Sequence, residues 1–419
     1  MNRFLPLLML SFVLLLLDFY AFQGIKTATQ SFSHSTRNVL HWGYWILTAL
    51  GILGIFVINF APAGFAWQSR VWIMVGIFSL YLSKVVIIFF LLIDELVRLV
   101  KWVIQKFSGG EADAAVAKGE PISRSAFLAK TGAIAATVPL VGVGFGIISG
   151  AHDYRIRRRE VYLPNLPKSF DGMRIAQISD IHSGSFWNKT AVQGGVDMLM
   201  KEKADVVFFT GDLVNNRADE MTDYVDVFNQ IKAPLGVYST LGNHDYGDYA
   251  AWKSPEEKRR NLQTLIDTHR AMGWDILMDE HRMLEESGDK LAIIGIQNWS
   301  AKGNFPKYGD LSKAWQGTDE AATKLLLSHD PSHWRAEVTQ HYKDIDLTFS
   351  GHTHGMQFGV EIAGIKWSPV KYVYKEWADL YQSESEDQYL YVNRGYGYIG
   401  FPGRIGMPPE ITIMELKKG

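Results

Sequence analysis

Three stretches of the chain are apolar almost without interruption. Residues 4–22 read FLPLLMLSFVLLLLDFYAF with Asp18 as the single charge, residues 40–60 carry none, and residues 71–93 carry only Lys84. A helix rising about 1.5 Å per residue needs about 20 residues to cross a hydrocarbon core, so each run predicts a membrane span. Residues 131–150, TGAIAATVPLVGVGFGIISG, are uncharged but rich in Gly and Ala, and predict a fourth span with a weaker signal. The first run also has the length of a signal peptide, but Asp18-Phe19-Tyr20 offers no small-residue cleavage site. Lys84 is either a functional intramembrane charge or a lysine that pairs with Asp18 or another bundle residue.

Beyond residue 150 the period changes. Short apolar runs ending in polar residues stand at 174–179, 205–210, 235–240, 290–295, 323–328 and 345–350, with late strands expected at 388–393 and 410–415. Helix-like stretches at 189–202, 219–232 and 254–272 lie between several of them. Alternating strands and helices predict a layered α/β unit whose helices cover a central sheet. The expected organisation is a transmembrane region over 1–150, a linker and first strand over 151–172, and the α/β domain over 173–419. Residues 108–120, rich in Gly, Ala and charge, predict a flexible cytoplasmic connection.

Composition narrows the function classes. With 42 Lys+Arg against 44 Asp+Glu the net charge is −2, which argues against a general nucleic-acid binder. There are no cysteines, so disulfides, thiolate nucleophiles and Cys-ligated zinc are excluded. Charge also bears on orientation. Arg3, Arg70, Arg155, Arg157, Arg158 and Arg159 flank the side shared by the N-terminus and the α/β unit. Lys26, Arg37, Arg98, Lys101, Lys106, Lys118, Arg124 and Lys130 flank the other, and this excess marks it as cytoplasmic. Ser123-Arg124-Ser125-Ala126-Phe127-Leu128 resembles a bacterial twin-arginine export signal with Ser125 in place of the second arginine. Both cues put the α/β unit on the extracytoplasmic side of the inner (cytoplasmic) membrane.

The chemistry sits at the strand ends. The apolar runs lead into Asp180-Ile181-His182, Gly211-Asp212, Gly242-Asn243-His244-Asp245, His329-Asp330 and Gly351-His352-Thr353-His354. Strand C-termini are where α/β sheets place ligand sites. Imidazole mixed with carboxylate suits Mn, Fe or Zn better than Mg or Ca.

This set of five blocks, in order, resembles the calcineurin-like metallophosphoesterases, in particular their membrane-associated bacterial branch. The resemblance leaves the membrane region unexplained, and Met356 departs from it where that branch usually has a second glycine before Gln357. It implies a four-layer αββα domain with two divalent cations. Asp180, His182, Asp212 and His354 would hold one, and Asp212, Asn243, His329 and His352 the other, with Asp212 bridging. A hydroxide bridging the pair would attack phosphorus. His244 would be a general acid beside the leaving group rather than a ligand. Asp245 either orients His244 or is solvated, and Arg394 either binds substrate phosphate or makes a surface ion pair.

The expected function is a membrane-anchored, metal-dependent phosphohydrolase acting on a phosphodiester or pyrophosphate, lipid-linked or nucleotide-linked. A phosphomonoesterase, or a non-catalytic membrane sensor or scaffold keeping the fold, is the alternative. The expected partners are the lipid bilayer and the phosphate-ester substrate, with no nucleic acid and no obligate protein partner. Trp299, Phe305 and Trp315, in the loop-rich stretch 298–317, either cap the site or fill the domain's own core.

Overall fold

The computed structural model describes residues 4–61, 67–108, 123–303, 305–362, 364–385 and 387–419. The connection expected at 108–120 therefore lies, past Ser108, outside the described residues. The chain divides into two compact units, residues 1–145 and 146–419.

The first unit is helical: α1 (Phe4–Ala28), α2 (His34–Phe60), α3 (Trp67–Ser108), α4 (Arg124–Ala135) and the greater part of α5 (Thr137–Ile148). Among the described residues four helices are long and apolar enough to cross a membrane, the fourth running over Arg124–His152. At 42 residues α3 is far longer than the run of 71–93 that announced it. The apolar run stops where Asp94 and Glu95 begin, but those charges do not end a helix, and good helix formers carry it on to Lys106. Asp18 and Lys84 form a buried ion pair. The Asp18 carboxylate also accepts from Tyr44 OH at 3.2 Å, Thr48 Oγ1 at 3.1 Å and Tyr81 OH at 3.1 Å. Lys84 is thus a paired bundle lysine, its cost of burial offset by a saturated partner. Arg124 and Ser125, from the export-like motif, both contact the Asp94 carboxylate, at 3.2 Å and 2.9 Å.

The strands of the second unit are β1 (Arg155–Leu163), β2 (Arg174–Ile178), β3 (Val206–Thr210), β4 (Val237–Thr240), β5 (Asp275–Ile276), β6 (Glu280–Glu286), β7 (Asp289–Gly295), β8 (Thr323–Leu327), β9 (Leu347–Ser350), β10 (Val360–Ile362), β11 (Ile365–Trp367), β12 (Asp379–Gln382), β13 (Tyr389–Val392) and β14 (Glu410–Lys418). Two six-stranded sheets run β1-β14-β2-β3-β4-β5 and β12-β13-β9-β8-β7-β6, and β10-β11 form a separate hairpin.

Period-two alternation builds four layers from these sheets. Ile175, Val206 and Phe208 of the first sheet meet Leu291, Ile293, Leu325 and Phe349 of the second in one core between them. The alternate residues Ala176, Ile178, Val207 and Phe209 face outward under α6 (Lys189–Lys201), α7 (Val225–Phe228) and α8 (Pro255–Ala271). On the far side, Ala292, Ile294 and Leu326 pack under Trp334, Val338 and α9 (Leu311–Trp315). Burial on both faces is why these strands read as unbroken apolar runs.

The stretch 219–232 is not one helix. It holds a 3₁₀ turn, Ala218–Met221, and the single turn of α7. The Glu220 carboxylate turns back to the backbone N–H groups of Asn215, Asn216 and Arg217, at 2.6, 3.1 and 3.0 Å, which competes with helix propagation.

β2, β3 and β4 are mutually parallel, as are β7, β8, β9 and β13. Their C-terminal ends deliver the Asp, Asn and His blocks to one edge of the sandwich.

Candidate metal centre

The backbone at these strand ends is unusual. Asp180, His182, Asp212, His352 and His354 all have positive φ, between 49° and 70°. For an L-residue this costs about 1–2 kcal/mol, and such strain gathers at functional sites. Cross-loop bonds hold it in place: Asp180 N–H donates to the Gly211 carbonyl at 2.9 Å, and His182 N–H to that of Asp212 at 3.1 Å. Gly351 is required by close approach, since a Cβ there would sit 1.9 Å from Ser179 Oγ and 2.2 Å from Asp180 Oδ2.

These loops bring two donor groups together, Asp180 with His182 and His354, and Asp212 with His329 and His352. His182 Nε2 is 3.0 Å from His354 Nε2, which is 3.2 Å from Asp180 Oδ1. Asp212 Oδ2 lies 3.5 Å from His182 Nε2 and 3.1 Å from His329 Nε2, so it stands between the groups. Asn243 Oδ1 is 2.9 Å from His352 Nδ1, and its amide nitrogen is turned away to Tyr249 OH at 3.0 Å.

The residues fit a pair of cations. Donors bonded at about 2.1 Å and at right angles around one ion lie about 3 Å apart, which matches these spacings. His329 Nδ1 donates to the Thr210 carbonyl at 2.7 Å, which turns Nε2 inward, 3.1 Å from Asp212 Oδ2, where a cation could replace its proton. Seven oxygen and imidazole donors without sulfur match Mn, Fe or Zn.

Electrostatics of the same atoms make a prediction. Burial works to lower the His329 pKa, but the Asp212 carboxylate beside it pushes it up to about 10. Burial alone would raise Asp180 and Asp212, yet the histidines around them, His354 and His329 respectively foremost, hold both carboxylates low. The Asp212 carboxylate thus favours a proton on His329 in the metal-free site, one that a cation would displace. Metal affinity should rise with pH across the neutral range, by about tenfold per unit for one displaced proton. Calorimetric titration of the chelator-stripped protein in buffers of different ionisation heat checks this, and a pH-independent affinity with no proton release contradicts it.

His244 is half-buried and belongs to neither donor group. Its N–H donates to Asp212 Oδ1 and its Nδ1 to the Asn215 carbonyl, both at 2.8 Å, so Nε2 is the nitrogen free to meet a ligand. Its ring centroid is 5.0 Å from that of His182.

Asp245 neither orients His244 nor meets solvent. It is fully buried and its carboxylate accepts from the backbone N–H groups of Asp212 (2.9 Å), Leu213 (2.8 Å), Val214 (3.3 Å) and Gly242 (2.8 Å). It staples the loop after β3 to the loop after β4. Asp245→Asn would turn an amide N–H₂ toward two backbone donors. It is expected to cost about 3 kcal/mol or more, seen as a lowered melting temperature of the metal-free protein. An unchanged melting temperature would count against the staple.

Arg394 is also placed differently from either reading. It is fully buried, with Nη1 2.6 Å from Glu410 Oε2 and Nη2 3.1 Å from Glu361 Oε1, so it makes an interior ion pair rather than contacting substrate or solvent. Of Trp299, Phe305 and Trp315, only Phe305 reaches the site, its ring 5.1 Å from that of His352. Trp299 and Trp315 pack on the outer core, and Trp315 Nε1 donates to Asp344 at 3.1 Å.

Two supporting residues, Tyr374 and Arg404, escaped the sequence reading, and Asp330 entered it without a role. Tyr374 OH lies 2.9 Å from His352 Nε2 and donates to Asp330 Oδ2 at 3.2 Å, which fixes the His352 ring so that Nδ1 faces inward. Arg404 is buried behind His354, donating to the carbonyls of Gly397 at 2.6 Å and Arg394 at 2.8 Å, with Nη2 3.2 Å from His354 Nδ1. The adjacency of Asp330 to His329 was the one available signal. Tyr374 and Arg404 come from remote loops with no motif around them.

Comparison with known proteins agrees with this geometry. Residues 2–151 match the family model "Probable Calcineurin-like phosphoesterase, transmembrane domain", and residues 173–356 match "Calcineurin-like phosphoesterase". The chain is 30% identical over 280 residues to the zebrafish (Danio rerio) "Transmembrane protein with metallophosphoesterase domain", covering 65% of this chain and 60% of that protein. The cattle (Bos taurus) protein of the same description is 28% identical over 295 residues, covering 69% and 63%. The metallophosphoesterase YkuE of Bacillus subtilis is 30% identical over 305 residues, covering 71% of this chain and 98% of YkuE. The chain thus spans less than two thirds of the two vertebrate relatives and nearly all of the bacterial one. With the transmembrane and phosphoesterase models matched in succession over a fold that gathers their acidic and histidine residues at one sheet edge, the chain belongs to the calcineurin-like metallophosphoesterases with a four-helix membrane region.

Proposed function

We propose that the protein is a membrane-anchored, dinuclear metal-dependent phosphohydrolase that cleaves a phosphodiester or pyrophosphate in a lipid-linked or nucleotide-linked substrate. The observation that carries this reading is the convergence of six donor residues around Asp212, with His244 beside them and its Nε2 free. Asp180, His182, Asp212 and His354 would hold one cation, and Asp212, Asn243, His329 and His352 would hold the other. When bound, two such cations supply Lewis acidity and an activated water.

The chain's own residues do the remainder. Tyr374 and Asp330 keep His352 in one ring orientation, and Asp245 holds the Asp212 and Asn243 loops in register. His244, its Nδ1–H anchored on the Asn215 carbonyl, delivers a proton from Nε2 to the departing oxygen. A diester or pyrophosphate is favoured over a monoester because Arg394 and Arg404, the buried arginines behind the site, direct their Nη groups at carboxylates and carbonyls. Neither is offered to the extra charge of a monoester dianion. The membrane helices favour a lipid-borne substrate by holding the site where such substrates are concentrated.

The catalytic unit lies on the extracytoplasmic side in this proposal, supported by the basic excess in the opposite loops and by the export-like residues at 123–130. The test is an activity screen of the full chain in detergent with added Mn²⁺, against aryl monoesters, aryl diesters and nucleotide-linked lipids. Diester or pyrophosphate turnover is the expected result. Turnover confined to monoesters would overturn the substrate class, and no turnover with any divalent metal would overturn the enzyme reading.

A further inference from the structure

Beyond residue 148, twelve large apolar side chains are exposed among the described residues, and six of them fall between residues 358 and 373: Phe358, Val360, Ile362, Ile365, Tyr372 and Val373. The centre of this patch is the β10–β11 hairpin, and that hairpin is inside out. Its register pairs Val360 with Trp367, Glu361 with Lys366, and Ile362 with Ile365. Side chains alternate along a strand, so the four apolar residues share one face and the two charged residues the other. The charged face points into the unit. Glu361 is ion-paired with Arg157 at 2.5 Å and lies 3.1 Å from Arg394, and Lys366 donates to the Ala378 carbonyl with its ammonium 4.9 Å over the Trp377 ring. The apolar face points out, with Ile362 70% and Ile365 65% exposed. A hairpin facing water would be arranged the other way round.

The occupant of this face is identified by what adjoins it. Phe358 bridges to Ile405, and the neighbouring Arg404 N–H donates to the Gly146 carbonyl at 3.0 Å. Gly146 is the first residue of the unit and belongs to the fourth helix of membrane-crossing length. The hairpin therefore lies beside the point where the chain enters the unit from a membrane-length helix. Trp367, Tyr372 and Lys371 add the aromatic and basic residues that favour a headgroup layer. The segment is also tied at both ends to the metal centre, through His354 before it and Tyr374 after it.

We propose that the outer face of the β10–β11 hairpin docks into the headgroup interface of a lipid bilayer, so that the metal centre works at the membrane surface. The proposal rests on the membrane reading of the helices and needs no turnover.

Because the chain has no cysteine, Ile362→Cys and Ile365→Cys each give one labelling site. The full chain, carrying an environment-sensitive fluorophore at either site, is reconstituted in vesicles of phosphatidylcholine and phosphatidylglycerol. Some of the lipids carry a quencher near the headgroup. Expected are blue-shifted emission and about twofold or stronger quenching at both sites, with a water-like, unquenched label at Tyr162→Cys on edge strand β1. A water-like label at 362 and 365 overturns the proposal. So does a shielded label that lipid does not quench, which would mean a protein partner, or a shift that depends on protein density, which would mean a second copy. The readout is independent of catalysis, so docking and hydrolysis succeed or fail separately.

Discussion

Asp212→Ala is expected to lower turnover by well over the ~10–100-fold that loss of an outer-sphere partner costs at a metal site. The Asp212 carboxylate lies within reach of both donor groups, 3.5 Å from His182 Nε2 and 3.1 Å from His329 Nε2. In the proposed site its removal would leave each cation short of a ligand and take away the negative charge between them. The variant should also bind less than a full pair of metals, measured by elemental analysis after dialysis. Asp212 has a second duty, because Oδ1 accepts the His244 N–H at 2.8 Å. Asp212→Asn separates the two effects. It keeps an acceptor for His244 but not the bridging charge, so it should fail almost as badly as alanine. An asparagine variant with near-normal activity would show that Asp212 matters for the loop and not for the metals.

His244→Ala should show the opposite combination, a full metal complement with slow turnover. General-acid assistance is worth about 10²–10⁴-fold, and it matters in proportion to how poor the leaving group is. The deficit should reach that range on a substrate with an alkoxide leaving group and shrink strongly on a nitrophenyl ester, whose oxygen needs no proton. His244→Gln restores a donor of similar reach without an exchangeable acidic proton and should not rescue the alkyl substrate. Equal losses on both substrates, or the loss of a metal, would make His244 a ligand or a structural residue.

The strands that carry the site were readable because each is short, buried on both faces and followed at once by polar residues of metal-binding type. The pattern at 174–182 shows apolar periodicity, strand end and donor set within nine residues. The Lys84 pairing was also open to inspection, since Asp18 is the one acidic residue in the first three apolar runs. What was not readable depends on contacts between distant segments. No local rule foretells that Asp245 spends its carboxylate on four backbone N–H groups of two loops, or that Arg404 reaches back to His354. Arg394 looked exposed because charged residues usually are; Glu410 and Glu361, far off in sequence, made its burial tolerable. The left-handed ligands are hidden as well, since Asp and His carry no mark of φ in the sequence, and Met356, at φ 56°, shows why glycine is the usual residue there.

The central claim is that hydrolysis needs both cations of the pair centred on Asp212. It is tested most directly by titrating metal into the chelator-stripped full chain while following hydrolysis of an aryl phosphodiester alongside bound metal. The account predicts little activity at one equivalent, a rise toward two, a plateau once two ions are bound per chain, and no such rise in Asp212→Asn. Full activity at one equivalent, or two bound ions without hydrolysis, would contradict it.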